Sequence, residues 1–170
     1  MPYGITVYRK YNVGMMITKG KQRKEEYASA GNSYSAYQIS PPCSLWVPGL
    51  ENVEFTVFPY EKTENTAQKT YTKWFDYDKM KKGFEIRTRK AGDYIIVDDE
   101  GHHKKLKQVF TGDKIPAQQR AGLWLIAHES LVHAIIGYRS GCGALVTPQT
   151  GKVLKITFYG GKQNGFFKKI

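Results

Sequence analysis

The first half of the chain has the polar and apolar pattern of short strands separated by turns. At 53–57, apolar Val53, Phe55 and Val57 alternate with Glu54 and Thr56, which is the two-residue period of a half-buried strand. Shorter strand candidates lie at 5–8, 15–17, 37–39 and 45–47. The turn signal at 12–14 between the first two candidates predicts a hairpin.

Two polar stretches interrupt this pattern. Residues 18–36 are rich in charged and small polar side chains, and we expect a loop there. Residues 61–73 form a second polar stretch, which we interpret as a connector. It divides the chain into a β-rich linking lobe at 1–60 and a C-terminal domain at 74–170.

The second half opens with a strand candidate that carries two arginines. Side chains alternate along a strand, so Arg87 and Arg89 should project from one face, opposite Phe84 and Ile86. The two guanidinium groups would then lie roughly 7 Å apart, a spacing that suits neighbouring phosphates. The alternative is an outward sheet face on which Glu85 and Asp93 pair with the arginines.

A short helix is predicted around Leu106, Val109 and Phe110, which fall on one apolar face at the spacing i, i+3, i+4. Lys104, Lys105 and Lys107 would cover its exposed sides. Lysines in a first turn oppose the helix dipole, and a bound phosphate would reverse that cost. The helix should end at Thr111-Gly112, and Pro116 should start a second one that runs through Arg120.

The most apolar stretches, 123–127 and 131–136, predict a buried hairpin in which His133 is a core histidine. Strands are also expected at 94–97 and, closing the fold, at 153–158. The pattern therefore predicts an α+β fold, mostly strands with two or three short helices. It leaves the strand order open.

Charge adds a class of partner to this picture. The 170 residues carry a net charge of +11, and within 101–170 there are 11 basic residues against 2 acidic ones. Such an excess favours a polyanionic partner. There is no apolar run near the roughly 20 residues of a membrane span and no signal-peptide pattern at the start, so we expect a cytoplasmic protein without a membrane partner.

Motifs for catalysis or metal binding are missing. Cys43 and Cys142 are far apart and are expected to be structural thiols. His102 and His103 have no second ligand pair at metal-binding spacing, and neither phosphate-binding glycine motif is present. We therefore predict no catalytic residue, no metal site and no cofactor in this chain.

The run from Phe84 to Arg139 resembles the C-terminal domain of tRNA(Ile)-lysidine synthetase. The family pattern is an Arg-x-Arg strand, a Gly-Asp turn, a Lys-Lys-Leu segment, an Asp-Lys-x-Pro linker, an arginine and a Gly-x-Arg strand end. The matching residues are Arg87, Arg89, Gly92, Asp93, Lys104, Lys105, Leu106, Asp113, Lys114, Ile115, Pro116, Arg120, Gly137, Tyr138 and Arg139. Similarity over 1–60 rests on shorter pieces.

This resemblance implies a part in modifying the wobble cytidine of the isoleucine tRNA with a CAU anticodon to lysidine. In the family, a PP-loop domain performs that reaction with ATP, Mg and lysine, and its Ser-Gly-Gly-x-Asp-Ser signature is not in this sequence. The C-terminal domain grips the tRNA on its acceptor-stem side. The implied partners are that tRNA and the enzyme's own N-terminal catalytic domain, and a homodimer is left open.

Within the resemblance, phosphate contacts are expected from Arg87, Arg89, Lys104, Lys105 and Lys107. Lys114 and Arg120 are further tRNA-binding candidates, and Arg139 is either a third or an ion-pair partner of Asp93 or Asp113. The alternative function is a basic protein-interaction module that docks an acidic partner or the catalytic domain.

Overall fold

A computed structural model describes residues 8–10, 13–15, 36–62, 72–80 and 83–160, the first two ranges through their backbone alone. These residues form short strands and three short helices. In chain order they are β1 (Tyr8–Lys10), β2 (Val13–Met15), β3 (Ala36–Ile39), β4 (Cys43–Val47), β5 (Glu51–Pro59), β6 (Thr72–Asp76), α1 (Tyr77–Met80), β7 (Phe84–Arg87), β8 (Tyr94–Ile96), β9 (His103–Lys105), α2 (Leu106–Gly112), α3 (Ala117–Arg120), β10 (Leu125–His128), β11 (Leu131–Ile135), β12 (Arg139–Ser140) and β13 (Lys152–Phe158).

The predicted N-terminal hairpin is confirmed, with its strands closer to the turn than expected. β1 and β2 are antiparallel, and Lys10 pairs with Val13. Val13 and Gly14 therefore belong to a strand rather than to the turn. The expected loop at 18–36 lies outside the described residues apart from Ala36, which begins β3.

A four-stranded antiparallel sheet has the order β4-β5-β13-β6. Burial alternates along β4 and through the middle of β5, as the two-residue period at 53–57 predicts: Val53 and Phe55 are buried, while Glu54 and Thr56 are half-buried. The period stops at Val57, which is half-buried. The predicted closing strand at 153–158 is confirmed as β13, and it lies between β5 and β6.

The second sheet has the order β3-β7-β10-β11-β8-β9, and β12 also pairs with β11. Its strands are antiparallel except for β8 and β11, which run parallel. The predicted buried hairpin is confirmed as β10 and β11, and His133 is buried on β11.

Two apolar clusters cover the two faces of the second sheet. The larger cluster joins it to the four-stranded sheet, where the rings of Phe55 and Phe84 lie 6.0 Å apart between centroids. The smaller cluster packs Leu106, Val109 and Phe110 of α2 against the opposite face. The described core is thus three layers, sheet on sheet on helices, and the α+β class is confirmed.

Residues 61–73 separate the two halves of the chain along the sequence but not in space. β3 pairs with β7 and β5 pairs with β13, so each sheet draws strands from both sides of the connector. The linking lobe proposed for 1–60 and the domain proposed for 74–170 share one core over their described residues.

The two predicted helices are present as α2 and α3, but the lysines before α2 are placed differently. Lys104 and Lys105 belong to β9, where Lys104 pairs with Ile95 of β8. The expectation that both cover the sides of the helix is wrong, because the backbone of 103–105 is taken up by sheet pairing. Only Lys107 lies within α2. Among the described residues, no helix is long and apolar enough to cross a membrane.

Candidate nucleic-acid interface

Arg87 is the first predicted contact residue, and the structure buries it completely. Its strand, β7, lies between β3 and β10, and the sheet is covered on both faces. The alternation of faces is as predicted, since Ile86 joins the larger apolar cluster and Arg87 lies opposite. The expected direct phosphate contact of Arg87 is nevertheless wrong, because the polar face of this strand is not exposed to solvent.

The guanidinium of Arg87 is held by an internal network. Nη1 and Nη2 each donate to one carboxylate oxygen of Asp93 at 2.8 Å, a bidentate ion pair. Nη1 also donates to the carbonyl of Thr88 at 2.9 Å, and Nη2 to that of Glu129 at 2.7 Å. Nε lies 2.8 Å from the carboxylate of Glu85. The alternative in which Glu85 and Asp93 pair with Arg87 is confirmed, but in the interior.

Arg89 lies in a different environment two residues further on. β7 ends at Arg87, and residues 88–92 form a loop on which Arg89 and Lys90 are exposed. The expected pair of guanidinium groups side by side on one strand face is therefore absent. Gly92, at φ 88°, turns this loop back toward β8, a backbone conformation that favours glycine.

Lys104, Lys105 and Lys107 are exposed where β9 passes into α2. This junction meets the loop 88–92 at Asp93, since the backbone N–H of Leu106 donates to the carbonyl of Asp93 at 2.8 Å. We call the exposed lysine and arginine residues on these two segments the basic rim. Its members are Arg89, Lys90, Lys104, Lys105 and Lys107.

Lys90 was not anticipated as a site residue. Its side chain is 44% exposed, and its ammonium lies 3.0 Å from the carboxylate of Glu85, which also accepts a hydrogen bond from the side chain of Gln38. The sequence feature that could have identified Lys90 is its position next to Arg89 in the turn between two strands, since such loops lie on the protein surface.

The other three candidates surround the connection between α2 and α3. Lys114 is exposed, whereas Arg120 is half-buried and donates from Nε to the carbonyl of Ile115 at 2.8 Å. Arg139 lies 3.6 Å from Asp113, both partly exposed, so the ion-pair alternative proposed for it is confirmed with Asp113. A pair this exposed contributes little stability.

The basic excess of the last 70 residues does not form one patch. Lys152 and Lys155 lie on β13 in the four-stranded sheet, where the ammonium of Lys155 sits 5.3 Å from the ring centroid of Trp74. Lys162, Lys168 and Lys169 lie outside the described residues. Within the part of the chain that the structure describes, the interface candidates are therefore the basic rim and the three residues around the helix connection.

Cys43 and His133 are buried in the core. Cys43 and Cys142 are both free, and burial raises the pKa of the Cys43 thiol to about 11. Burial lowers the pKa of His133 to about 4, with the charge of His128 as a smaller cause. Within the described ranges, no group of three His, Cys, Asp or Glu side chains is arranged to hold a metal ion.

Comparison with known proteins gives consistent matches. The family described as TilS substrate C-terminal domain matches residues 84–156. A tRNA(Ile)-lysidine synthase of Clostridium perfringens is 37% identical over 115 residues, covering 68% of this chain and 24% of that protein. One from Caldanaerobacter subterraneus subsp. tengcongensis is 25% identical over 158 residues, covering 93% of this chain and 32% of its own length.

A solved structure shares the fold. The crystal structure of a TILS C-terminal domain superposes with a TM-score of 0.61 at 16% identity, covering 74% of this chain and 96% of that one. This chain spans about a quarter to a third of the length of the two synthases above, since it covers 24% of one and 32% of the other.

Proposed function

Residues 84–156 belong to the C-terminal domain family of tRNA(Ile)-lysidine synthase, and from that premise we propose that this chain binds tRNA and orients it for modification. The substrate is the isoleucine tRNA with a CAU anticodon. The chain grips its acceptor-stem side through contacts to phosphates.

The observation that carries this proposal is the basic rim. Arg89, Lys104, Lys105 and Lys107 are exposed on two adjoining segments, and among the described residues none of them has a hydrogen bond or ion pair from its side chain. A double-stranded RNA stem hides its base edges in a deep groove, so proteins hold it by backbone shape, phosphates and 2'-hydroxyls. Unpaired cations on a sheet edge and a packed helix fit that task.

In this proposal the chain works together with a PP-loop catalytic domain in the cytoplasm. That domain uses ATP, Mg and lysine to convert the wobble cytidine to lysidine, and this chain supplies no catalytic group. Its contribution is to hold the far end of the tRNA so that the anticodon reaches the catalytic site. The activity is that of a ligase, and this chain is its substrate-holding part.

The test is the affinity of the chain for isoleucine tRNA, measured by fluorescence anisotropy over a range of salt concentrations. We expect Lys104→Ala/Lys105→Ala to weaken binding and to lower the slope of log K against log salt by about 0.9 or somewhat less for each phosphate that is no longer neutralised. Lys152→Ala is the matched control, because Lys152 is an exposed strand lysine in the other sheet. Equal effects of the double variant and the control would contradict the proposal.

The alternative, a basic module that docks an acidic protein, has one observation in its favour. β9 is an edge strand of the larger sheet in the described structure, and its three residues are exposed. Edge strands of this kind can accept an extended segment of a partner. A chain that shows no tRNA affinity at low salt but binds the catalytic domain would favour this alternative.

A further inference from the structure

We propose that Arg87 is a positioning residue for tRNA binding: it acts through Asp93 to hold the loop 88–92, and so places Arg89 and Lys90 beside the lysines of β9 and α2. The inference rests on the proposed function. It gives a task to a buried arginine that cannot itself reach a phosphate.

The contacts of Arg87 join three separate segments. Its two Nη atoms bind the carbonyl of Thr88 at the start of the loop, the carboxylate of Asp93 at its end, and the carbonyl of Glu129 in the turn between β10 and β11. One guanidinium therefore ties both ends of the loop to the body of the sheet. A planar group with five fixed donors is suited to this, and an ammonium is not.

Asp93 extends the same restraint to the lysine-bearing segment. Its carboxylate accepts the backbone N–H of Lys90 at 2.7 Å, which fixes the middle of the loop. Its carbonyl accepts the backbone N–H of Leu106 at 2.8 Å, which fixes the start of α2. Asp93 is therefore bonded to both segments, and it fixes the distance between the loop that carries Arg89 and Lys90 and the segment that carries Lys105 and Lys107.

The burial of this network supports placement rather than added stability. Arg87 is fully buried and Asp93 is 3% exposed, so both ions have given up most of their hydration. Buried ion pairs of this kind add little stability over a well-packed apolar pair, and in some proteins they fix one defined geometry instead. The charge of Arg87 is also neutralised by Asp93 and Glu85, which leaves no free charge there for tRNA.

The experiment compares Arg87→Lys, Arg89→Ala and the double variant in tRNA affinity, salt slope and hydrogen exchange of the Lys90 amide. Arg87→Lys keeps the charge and loses the planar group. We expect Arg89→Ala to weaken binding about tenfold. We expect Arg87→Lys to weaken it by a similar factor, to lower the slope and to speed exchange of the Lys90 amide. The double variant should be little worse than Arg89→Ala alone, because both act through the same contact.

Asp76→Asn is the matched control for a merely structural effect. Asp76 is another buried carboxylate that holds a turn, since it accepts the hydroxyl of Thr150 and the backbone N–H groups of Asp78 and Lys79, but it lies in the four-stranded sheet. The Asp76→Asn variant should have a lower melting temperature than wild type and an unchanged affinity for tRNA. An Arg87→Lys variant that behaves like Asp76→Asn, or whose effect adds fully to that of Arg89→Ala, would overturn the proposal.

Gly92→Ala is a second variant, which tests whether the conformation of the loop 88–92 matters for tRNA binding if Arg87→Lys does not fold. Gly92 is exposed at φ 88° and a Cβ there meets no atom within 4 Å, so the substitution strains the loop without touching the ion pair. Weaker tRNA binding by Gly92→Ala supports the proposal, and unchanged binding overturns it. If wild-type chain has no tRNA affinity, the proposed function fails, while exchange of the Lys90 amide still reports whether Arg87 holds the loop.

Discussion

Two arginines only two positions apart differ completely in their exposure to solvent. Arg87 is fully buried in an ion pair, and Arg89 is exposed on a loop. Sequence patterning correctly sets Arg87 opposite Ile86, but alternation along a strand does not say what covers the second face. The covering groups, such as the carbonyl of Glu129, are 42 residues away in the chain. A local pattern therefore identifies the residue and misses its environment.

Removing the guanidinium alone should be strongly destabilising. Arg87→Met leaves the carboxylate of Asp93 buried without its partner, and we expect the free energy of unfolding to fall by about 3–5 kcal/mol. Arg87→Met/Asp93→Leu removes both charges and should recover part of that stability. Urea unfolding of wild type and the two variants measures this, and a double variant no more stable than Arg87→Met would contradict it.

His133 should make the chain sensitive to mild acid. Burial lowers its pKa from 6.5 to about 4, so between these pH values the unfolded chain binds a proton that the folded chain does not. The stabilising effect of the neutral ring is complete above pH 6.5 and is lost as the pH falls toward 4. From pH 7.5 to pH 5 this lowers the free energy of unfolding by about 2 kcal/mol.

The contribution of His133 is isolated by a substitution that cannot titrate. His133→Phe keeps a planar ring next to Phe75, whose centroid is 6.4 Å from that of His133. The variant should lose less stability than wild type over the same pH range in urea unfolding curves. Parallel pH profiles for the two proteins would show that His133 is not the titrating group.

At the scale of elements, the buried hairpin and the apolar face of α2 could be predicted because their signal is local periodicity. β9 could not. Residues 103–105 carry no strand pattern, and their conformation is set by pairing with β8. The connector at 61–73 is visible as polar sequence, but strand pairing across it is a tertiary event that no local pattern reports.

Two glycines in the second half should respond oppositely to an added methyl group. A Cβ on Gly141 would lie 2.8 Å from Cγ1 of Ile95 and 3.1 Å from the carbonyl oxygen of Ile96, where β8 passes close to the loop. Gly141→Ala should therefore cost about 1–3 kcal/mol. A Cβ on Gly112, at the end of α2, meets nothing within 4 Å, and Gly112→Ala should be neutral or stabilising by up to about 1 kcal/mol. Thermal unfolding distinguishes the two, and equal shifts would contradict the placement of Gly141.

For the whole molecule, the shared core predicts that the second half does not fold well alone. A fragment of residues 74–170 lacks β3, β4 and β5, and with them seven of the eighteen buried members of the larger apolar cluster. We expect weakly cooperative unfolding and binding of a hydrophobic dye. A fragment of residues 36–170 is the matched control and should unfold cooperatively. Indistinguishable unfolding curves would show that the two parts of the chain are independent.

The position of β13 has a consequence for how the chain is made. β5 has β13 as a sheet neighbour, and Thr56 bonds to the carbonyl of Lys155, 99 residues later. During synthesis the first half of the chain leaves the ribosome long before β13 is made. Until then the apolar side chains of β5 lack that neighbouring strand. Pairing between such distant segments is slow to form, and exposed strands of this kind are prone to aggregate. We therefore expect the yield of soluble chain to depend more on the rate of synthesis than on the stability of the finished fold.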